Sequence, residues 1–391
     1  MFVAAIFWLG PALVLYAYVG FPLLLSCLVR GRRYSAGGRS VTEPETTITV
    51  IIPAYNEERS IEARIVNVLG SSYPQRLLDV IVVSDASTDR TNEIASHFAS
   101  TGVRLLVQPE RRGKTNGLNL AMKVARGGIA VFTDANALFP PQAISTLVGY
   151  FDDPHVGLVS GYTRYVVTEA GDVSDATGAY TRLERTIKRA ESRWGSCVGA
   201  DGAIFAMRRT LYRPLRDDDI NDFVLPLSVI EQGFQCLLAE DVFCSEHPGT
   251  NLESEFRRQS RITNRSLRAI WRRRHLLNPL RHPAFSFFLF SHKVSRFVAP
   301  VLLCVSVAAL LWLLPRGGLY TPLAAVTVAA ALVVAVARIW PAPALFPRVV
   351  GRALQFVNVF VTMNVAILHG WWKFLTGHAE ISWQHDRALS R

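Results

Sequence analysis

Four stretches of this chain contain no charged residue: Phe2 to Val29, Phe297 to Pro315, Gly317 to Ala337 and Ala353 to Trp372. Each is close to the ~20 residues a helix needs to cross a hydrocarbon core, where a helix satisfies its own backbone polar groups. The chain is therefore expected to carry an N-terminal anchor over residues 1–30 and about three membrane helices over 297–376, on either side of a soluble unit. Nothing basic precedes Arg30, and the first apolar run is too long for the core of a cleaved leader, so it reads as an anchor. Arg30, Arg32 and Arg33 follow at once, and the positive-inside rule then puts the next segment in the cytoplasm of a cell whose inner membrane the chain crosses several times.

Residues 31–46 are polar and glycine-containing, a linker, and from 47 to 255 the pattern changes to that of a soluble α/β domain. Strands are expected at 47–53, 78–85, 103–108 and 129–134, with helices at 57–69, 89–100 and 114–126 between them. The strands are almost wholly apolar, as a mostly parallel, Rossmann-like sheet covered on both faces requires. Beyond residue 156 a strand, a helix over 175–192, a strand opening at Gly199 and a helix over 222–233 are expected.

The formal charge of +11 is concentrated: Phe256 to Arg296 holds eleven Lys or Arg and no acid. Arg258, Arg261, Arg265, Arg268 and Arg272 recur at helical spacing, and their nearness to the second apolar run predicts basic interfacial helices over 256–296, resting against anionic headgroups. No groove-reading motif accompanies the charge, which argues against nucleic acid as a partner. The five cysteines form no C-x-x-C pair and read as core fillers.

The candidate chemistry lies at the strand ends. Strand one ends in Pro53-Ala54-Tyr55-Asn56-Glu57, strand two in Ser84-Asp85, and strand four in Asp134-Ala135-Asn136. Ligands of open α/β sheets sit at the carboxyl ends of parallel strands, and an Asp-Ala-Asn tip placed there suits a divalent cation and, through it, a diphosphate. Each tip alone is also a normal turn or helix cap, Asp89 above all. The first strand is not followed by G-x-G-x-x-G, nor is there a G-x-x-x-x-G-K-[ST], so neither a dinucleotide-binding enzyme nor a P-loop NTPase is indicated. Lys114 and the later arginines are the cations available to phosphate.

Taken as a set, these segments resemble the membrane-embedded family 2 glycosyltransferases of GT-A fold, which include bacterial exopolysaccharide, hyaluronan, cellulose and poly-N-acetylglucosamine synthases. The resemblance implies nucleotide contacts from Ala54, Tyr55, Glu57, Asp85, Lys114 and Asp134, with Gly113 and Asn119 completing the Lys114 motif. It implies a Mg2+ or Mn2+ site at Asp134 and Asn136, acceptor contacts in Gly199 to Ala203 (Asp201 and Gly202 among them), and diphosphate contacts from Arg258 and Arg261. Asp222, in Asn221-Asp222-Phe223, takes the place of the catalytic base. Two departures stand out: Asn136 replaces the second acid of the metal motif, and Arg258 and Ile262 replace a Gln and the Trp on which an acceptor sugar sits in processive enzymes. Ala239-Glu240-Asp241 also approaches the base motif, but Asp241 is expected to follow a strand and precedes Arg258 by only 17 residues against 36 for Asp222.

The implied function is metal-assisted transfer of a sugar, with inversion, from a nucleotide sugar, UDP-sugars first, to a growing extracellular polysaccharide or a lipid-linked acceptor. Single-sugar transfer to a polyprenyl phosphate and a non-catalytic nucleotide-sugar sensor are the alternatives. One span before the domain and three after it would leave the tail, 377–391, outside, whereas the likeness of Glu380 to Arg387 to tails of related enzymes suggests the cytoplasm.

Overall fold

The computed structural model describes residues 2–30, 45–166, 172–246, 252–339 and 348–378. Most of the expected linker, and the tail segment Glu380 to Arg387, lie outside the described residues.

After helix α1 (Phe2–Leu28, with one π turn) the chain forms β1 (Ile48–Ala54), α2 (Ile61–Leu69), β2 (Leu78–Ser84), α3 (Thr91–Ser96), β3 (Val103–Val107), α4 (Lys114–Val124) and β4 (Ile129–Thr133). Then come α5 (Ala143–Gly149), β5 (Val156–Tyr165), α6 (Asp172–Trp194), β6 (Ile204–Arg208), α7 (Asn221–Glu231) and β7 (Gln235–Glu246). The strands make one sheet in the order β3-β2-β1-β4-β6-β5-β7. Only β6 runs antiparallel to its neighbours, so the sheet is mostly parallel, as its apolar strands predicted. Two helices start later than their apolar pattern does. Glu57 to Ser60 form a turn that delivers Ile61, and Asp89 accepts from the backbone N of Thr91, the first residue of α3, at 3.0 Å.

Register decides what meets at the functional edge. Ala54 pairs with Ser84, Ile51 with Phe132, and Thr133 with Ile204, so β1, β2 and β4 end where β6 begins. Strand β7 runs parallel to β5, pairing Tyr165 with Glu246 at the same edge. A short bridge between Leu138 and Ser245 (3.0 and 2.8 Å) closes the segment after β4 onto the end of β7.

The sheet has a core on each face. Ile48, Val50 and Ile52 pack with α2, α3 and α5 on one side. On the other, Ile51, Phe132 and Phe205 belong to a cluster that continues through α6 and α7 to Phe21 and Leu25 of α1 and Phe288 and Leu289 of the later helices. The soluble domain and the apolar helices thus share one hydrophobic core.

Those later elements are α8 (Leu252–Arg272), α9 (Pro283–Arg316), α10 (Tyr320–Ile339) and α11 (Arg348–Leu375). Among the described residues, α1 and α9 are long and apolar enough to cross a membrane; the apolar stretch of α10 is shorter, Tyr320–Val333. Pro283 to Arg316 runs as one helix across the boundary expected at 297, with Phe285, Phe288 and Leu289 buried in the core and Phe290 exposed. Two arginines of the stripe turn to the domain: Arg272 pairs with Asp218 at 2.9 Å and Asp219 at 2.6 Å, and Arg265 donates to the Asp219 carbonyl at 3.2 Å, so this face of α8 docks on the domain's acidic loop. Of the cysteines, Cys197, Cys236 and Cys244 do fill the core, whereas Cys27 and Cys304 are exposed on α1 and α9.

Small residues set the close helix crossings, as is usual between membrane helices. Gly10 of α1 lies so near α9 that a Cβ there would be 2.8 Å from the Leu302 carbonyl oxygen. At Gly370 of α11 a Cβ would be 2.7 Å from Thr263 Cβ of α8. His369 meets Ser260 at 3.1 Å and Asn264 donates to the His378 carbonyl at 3.3 Å, so α11 ends on the side of the chain where α8 meets the domain.

Candidate active site

The tips of β1 and β2 interlock through left-handed backbone that side chains rarely adopt: Asn56 has φ 53° and Ala86 φ 55°. Asn56 Oδ1 accepts from Thr88 N at 2.9 Å, and Glu58 N donates to Asp89 at 3.0 Å. Tyr55 lies under the Arg111 guanidinium at 3.9 Å. Asp85 is buried and accepts from Gln108 Nε2 (2.8 Å), Arg112 N (2.8 Å) and Gly113 N (3.0 Å). It thereby fastens the turn, with Gly113 at φ 87°, that starts α4 and aims Lys114.

Lys114 Nζ donates to Asp134 Oδ1 at 2.5 Å. Burial would lower the pKa of this lysine, but Asp134, and beyond it Asp222 and Glu246, hold it above the ordinary value. Asn119 is a structural member of its motif: its amide binds Tyr212 Oη (2.7 Å) and both polar groups of Leu215.

The segment before β6 carries the residues expected on the acceptor side. Asp201 is taken up by β5, accepting from Thr163 N at 2.8 Å and Thr163 Oγ1 at 2.9 Å. Ala200 N donates to the Asp222 carbonyl at 2.6 Å, which seats the first turn of α7 beside this loop. Gly202 leaves room for the carboxylate, since a Cβ there would stand 3.1 Å from Asp222 Oδ2. Among the described residues Asp222 Oδ1 is buried with no hydrogen-bond partner. Burial raises its pKa, and Lys114 and Lys188 pull against that rise. A carboxylate held partly desolvated, with a free lone pair, suits proton abstraction. Asp241, by contrast, lies within β7 rather than after a strand, is exposed, and accepts from Tyr150 Oη at 2.7 Å.

A cavity of about 880 Å³ opens from Asp222 and includes Arg258, Glu255 and Ile262 of α8. Arg258 pairs with Glu255 at 3.3 Å. Of the two arginines expected at a diphosphate, Arg258 faces this cavity and Arg261 is not among its lining residues.

The residue that the sequence reading missed is Glu246. It ends β7 on the functional edge, its Oε1 is buried without a hydrogen-bond partner among the described residues, and its carboxyl is pushed up to about 8, by burial first and then by Asp134 and Asp201. Nothing in its sequence context marks it, because the pairing of β7 with β5 and the Leu138–Ser245 bridge bring it to the edge that carries the Asp134 tip. Among the described residues no three His, Cys, Asp or Glu side chains close on a point as a complete metal cage does. The donor set fits a hard cation of the Mg2+ or Mn2+ kind that takes one or two carboxylates from the protein and the remaining oxygens from a bound diphosphate. The orphaned Glu246 oxygen is an acceptor such an ion would satisfy.

Residues 49–216 match the profile of the family described as Glycosyl transferase family 2. Glycosyltransferase AglE of Haloferax volcanii is 27% identical over 139 residues, 35% of this chain and 46% of the relative. Poly-beta-1,6-N-acetyl-D-glucosamine synthase of Staphylococcus aureus is 27% identical over 165 residues, 42% of this chain and 40% of the relative. The chain spans less than half the length of these curated relatives. A solved structure titled as the mannosyltransferase PcManGT from Pyrobaculum calidifontis in complex with GDP-Man and Mn2+ superposes with a TM-score of 0.70 at 25% identity, over 95% of this chain and 99% of that one.

Proposed function

We propose that the family 2 glycosyltransferase domain of this chain moves a sugar from a nucleoside-diphosphate sugar to an acceptor hydroxyl, with inversion, beside a membrane. The observation that supports this most is the convergence at one sheet edge of Asp134 with Lys114 and, across the cleft, of the buried, unpartnered Asp222 Oδ1.

Asp222 takes the acceptor proton, a step that contributes ~10²–10⁴-fold. Lys114 and Arg258 place positive charge where the diphosphate departs, and Arg258 does so with the planar fork that suits phosphate oxygens. Asp134 and Asn136, with Glu246 in place of the second acid that Asn136 does not provide, would hold a divalent cation. Such an ion supplies charge against the leaving diphosphate. Ala54, Tyr55, Glu57 and Asp85 build the floor under the nucleotide, Asp85 by fixing the 111–113 turn. Its carboxylate is already occupied by that turn, so uracil and guanine belong equally in a donor screen. Asp201 and Gly202 shape the acceptor side. The acceptor is a growing polysaccharide or a lipid-linked glycan, and α1 and α9 hold the enzyme in the bilayer.

The test is a screen of UDP- and GDP-sugars with membranes holding the full chain, with and without Mn2+. Nucleoside diphosphate release that needs both the ion and Asp222 is the expected result. Release unchanged in Asp222→Asn, or none from any donor, would refute the proposal and leave a nucleotide-sugar sensor.

A further inference from the structure

Helix α6 lays three charged side chains along one face, Glu184, Lys188 and Glu191, at the i, i+4 and i+7 spacing that stacks successive turns. The outer two bind α9. Glu184 meets His292 Nε2 at 2.6 Å, Arg296 at 2.8 Å and Lys293 at 3.4 Å, and Glu191 meets His292 Nδ1 at 2.8 Å. With its second oxygen Glu191 accepts from Val198 N at 3.0 Å. Helix α6 is thus anchored on a long apolar helix and reaches from there into the segment before β6.

Lys188, between the two glutamates, holds the next part of that segment. Its Nζ donates to the Ala200 carbonyl at 3.0 Å, and Ala200 N donates to the Asp222 carbonyl at 2.6 Å. Ala200 is thereby fixed at both of its polar backbone groups, on one side by the lysine and on the other by the first turn of α7. Two residues on, the Asp222 carboxylate packs so closely on Gly202 that a Cβ there would lie 3.1 Å from Oδ2.

Lys188 also lines the cavity onto which Asp222 opens. Burial opposes its charge, but Glu184, Asp201, Cys197 and Asp222 hold its pKa above the ordinary value. The charges facing Asp222 itself are Lys114 of α4, Lys188 of α6, Asp201 before β6, Asp134 after β4 and Arg258 of α8. Lys114 is engaged by Asp134 at 2.5 Å and Arg258 by Glu255 at 3.3 Å, whereas the hydrogen bond from Lys188 ends on the loop that seats the base.

We propose that Lys188 is the positioning residue of the base: through Ala200 it fixes the first turn of α7, and its ammonium stands as countercharge to the Asp222 carboxylate. The inference rests on the transferase reading for the role of Asp222 and adds the residue that prepares that carboxylate. A lysine that only filled space under the loop would be replaced without loss by methionine, an unbranched side chain of similar reach. Burial raises the Asp222 pKa, and Lys114 and Lys188 pull it back. Removing the Lys188 charge therefore raises it further, and a base that works ionised loses activity from a higher pH downward.

The test replaces Lys188 by Met, which loses the ammonium, and by Arg, which restores a charged donor. Two readings are taken on the full chain in detergent. One is the pH profile of nucleoside diphosphate release. The other needs no turnover: the carboxylic-acid stretch of Asp222, followed across pH without donor or metal as the infrared difference between each protein and its Asp222→Asn counterpart. In Lys188→Met the acid limb and the infrared midpoint should both rise by about one pH unit, which on the limb is a fall of about tenfold in rate. Lys188→Arg should bring both back toward wild type. Arg193→Gln, an equal loss of charge where α6 pairs with Glu240 at 3.2 Å, should move neither. If thermal melting and UDP or GDP binding show that Lys188→Met does not fold, Lys188→Gln is read in its place with the same expectation. A rate lowered equally at every pH with limb and midpoint unmoved, a displacement in Lys188→Arg equal to that in Lys188→Met, or the same displacement in Arg193→Gln would overturn the inference. No turnover in the wild type, with the infrared midpoint displaced as expected, would strike the transferase reading and spare this one.

Discussion

The two sides of the cleft are built on opposite principles. On the proposed donor side most charges are answered: Asp85 by a side-chain amide and two backbone amides, Lys114 by Asp134, and the strand tips by each other's side chains, with Glu246 Oε1 an exception among the described residues. On the proposed acceptor side Asp222 Oδ1 has no hydrogen-bond partner among the described residues, and the lining turns from polar to apolar within one cavity. A prepaired, rigid donor side needs little reorganisation to bind a diphosphate, whereas the unsatisfied oxygen opposite gains its partner only when an acceptor arrives. The difference teaches that donor binding and acceptor chemistry should be separable by mutation.

The hardest test of that separation is Asp222→Asn, which should lower transfer by about 10²–10⁴-fold with donor affinity kept, while Asp241→Asn stays close to wild type. Steady-state rates and nucleotide titrations on both variants decide it; a larger loss in Asp241→Asn would move the base to β7. Next in size, Asp134→Ala should weaken Mn2+ retention in the donor complex and Glu246→Gln should do so by about tenfold, measured by Mn2+ electron paramagnetic resonance. Unchanged Mn2+ affinity in Glu246→Gln would return the β7 end to a purely structural role.

A smaller effect is the acid limb of the rate. Asp222 works ionised, and burial raises its pKa, so turnover should fall about tenfold per pH unit once the pH drops below a point higher than an ordinary carboxylate would give. An acid limb at the ordinary carboxylate position would show that Asp222 is solvated when it acts. Smallest is Gly370→Val, which should push α11 from α8 and lower stability by about 1–3 kcal/mol on a thermal melt, with donor binding unaffected.

What could be read before any coordinates was uneven, and for physical reasons. The strands β1 to β4 announced themselves because strands buried on both faces must be apolar throughout, and their tips because polar groups cluster where such strands stop. Asp222 was legible as an acid at a helix start in the right order along the chain. Glu246 was not, since a lone glutamate at a strand end looks like any surface acid until its neighbour Ser245 bridges to Leu138, 107 residues earlier than Ser245, and β7 pairs with β5. The arginine stripe of α8 was legible as a stripe, but the acidic loop it grips is more than forty residues earlier, and spacing says nothing about partners that far apart.

By itself, then, the order of residues determined which segments are apolar enough for a sheet interior or a bilayer, and which polar side chains stand at the ends of strands, because both follow from local periodicity and composition. Only the tertiary structure decided that α8 docks on Asp218 and Asp219, that α11 returns to α8, and that Lys188 and Asp222 share a cavity with the apolar helices. Those outcomes depend on contacts between distant parts of the chain, whose energies local pattern does not encode.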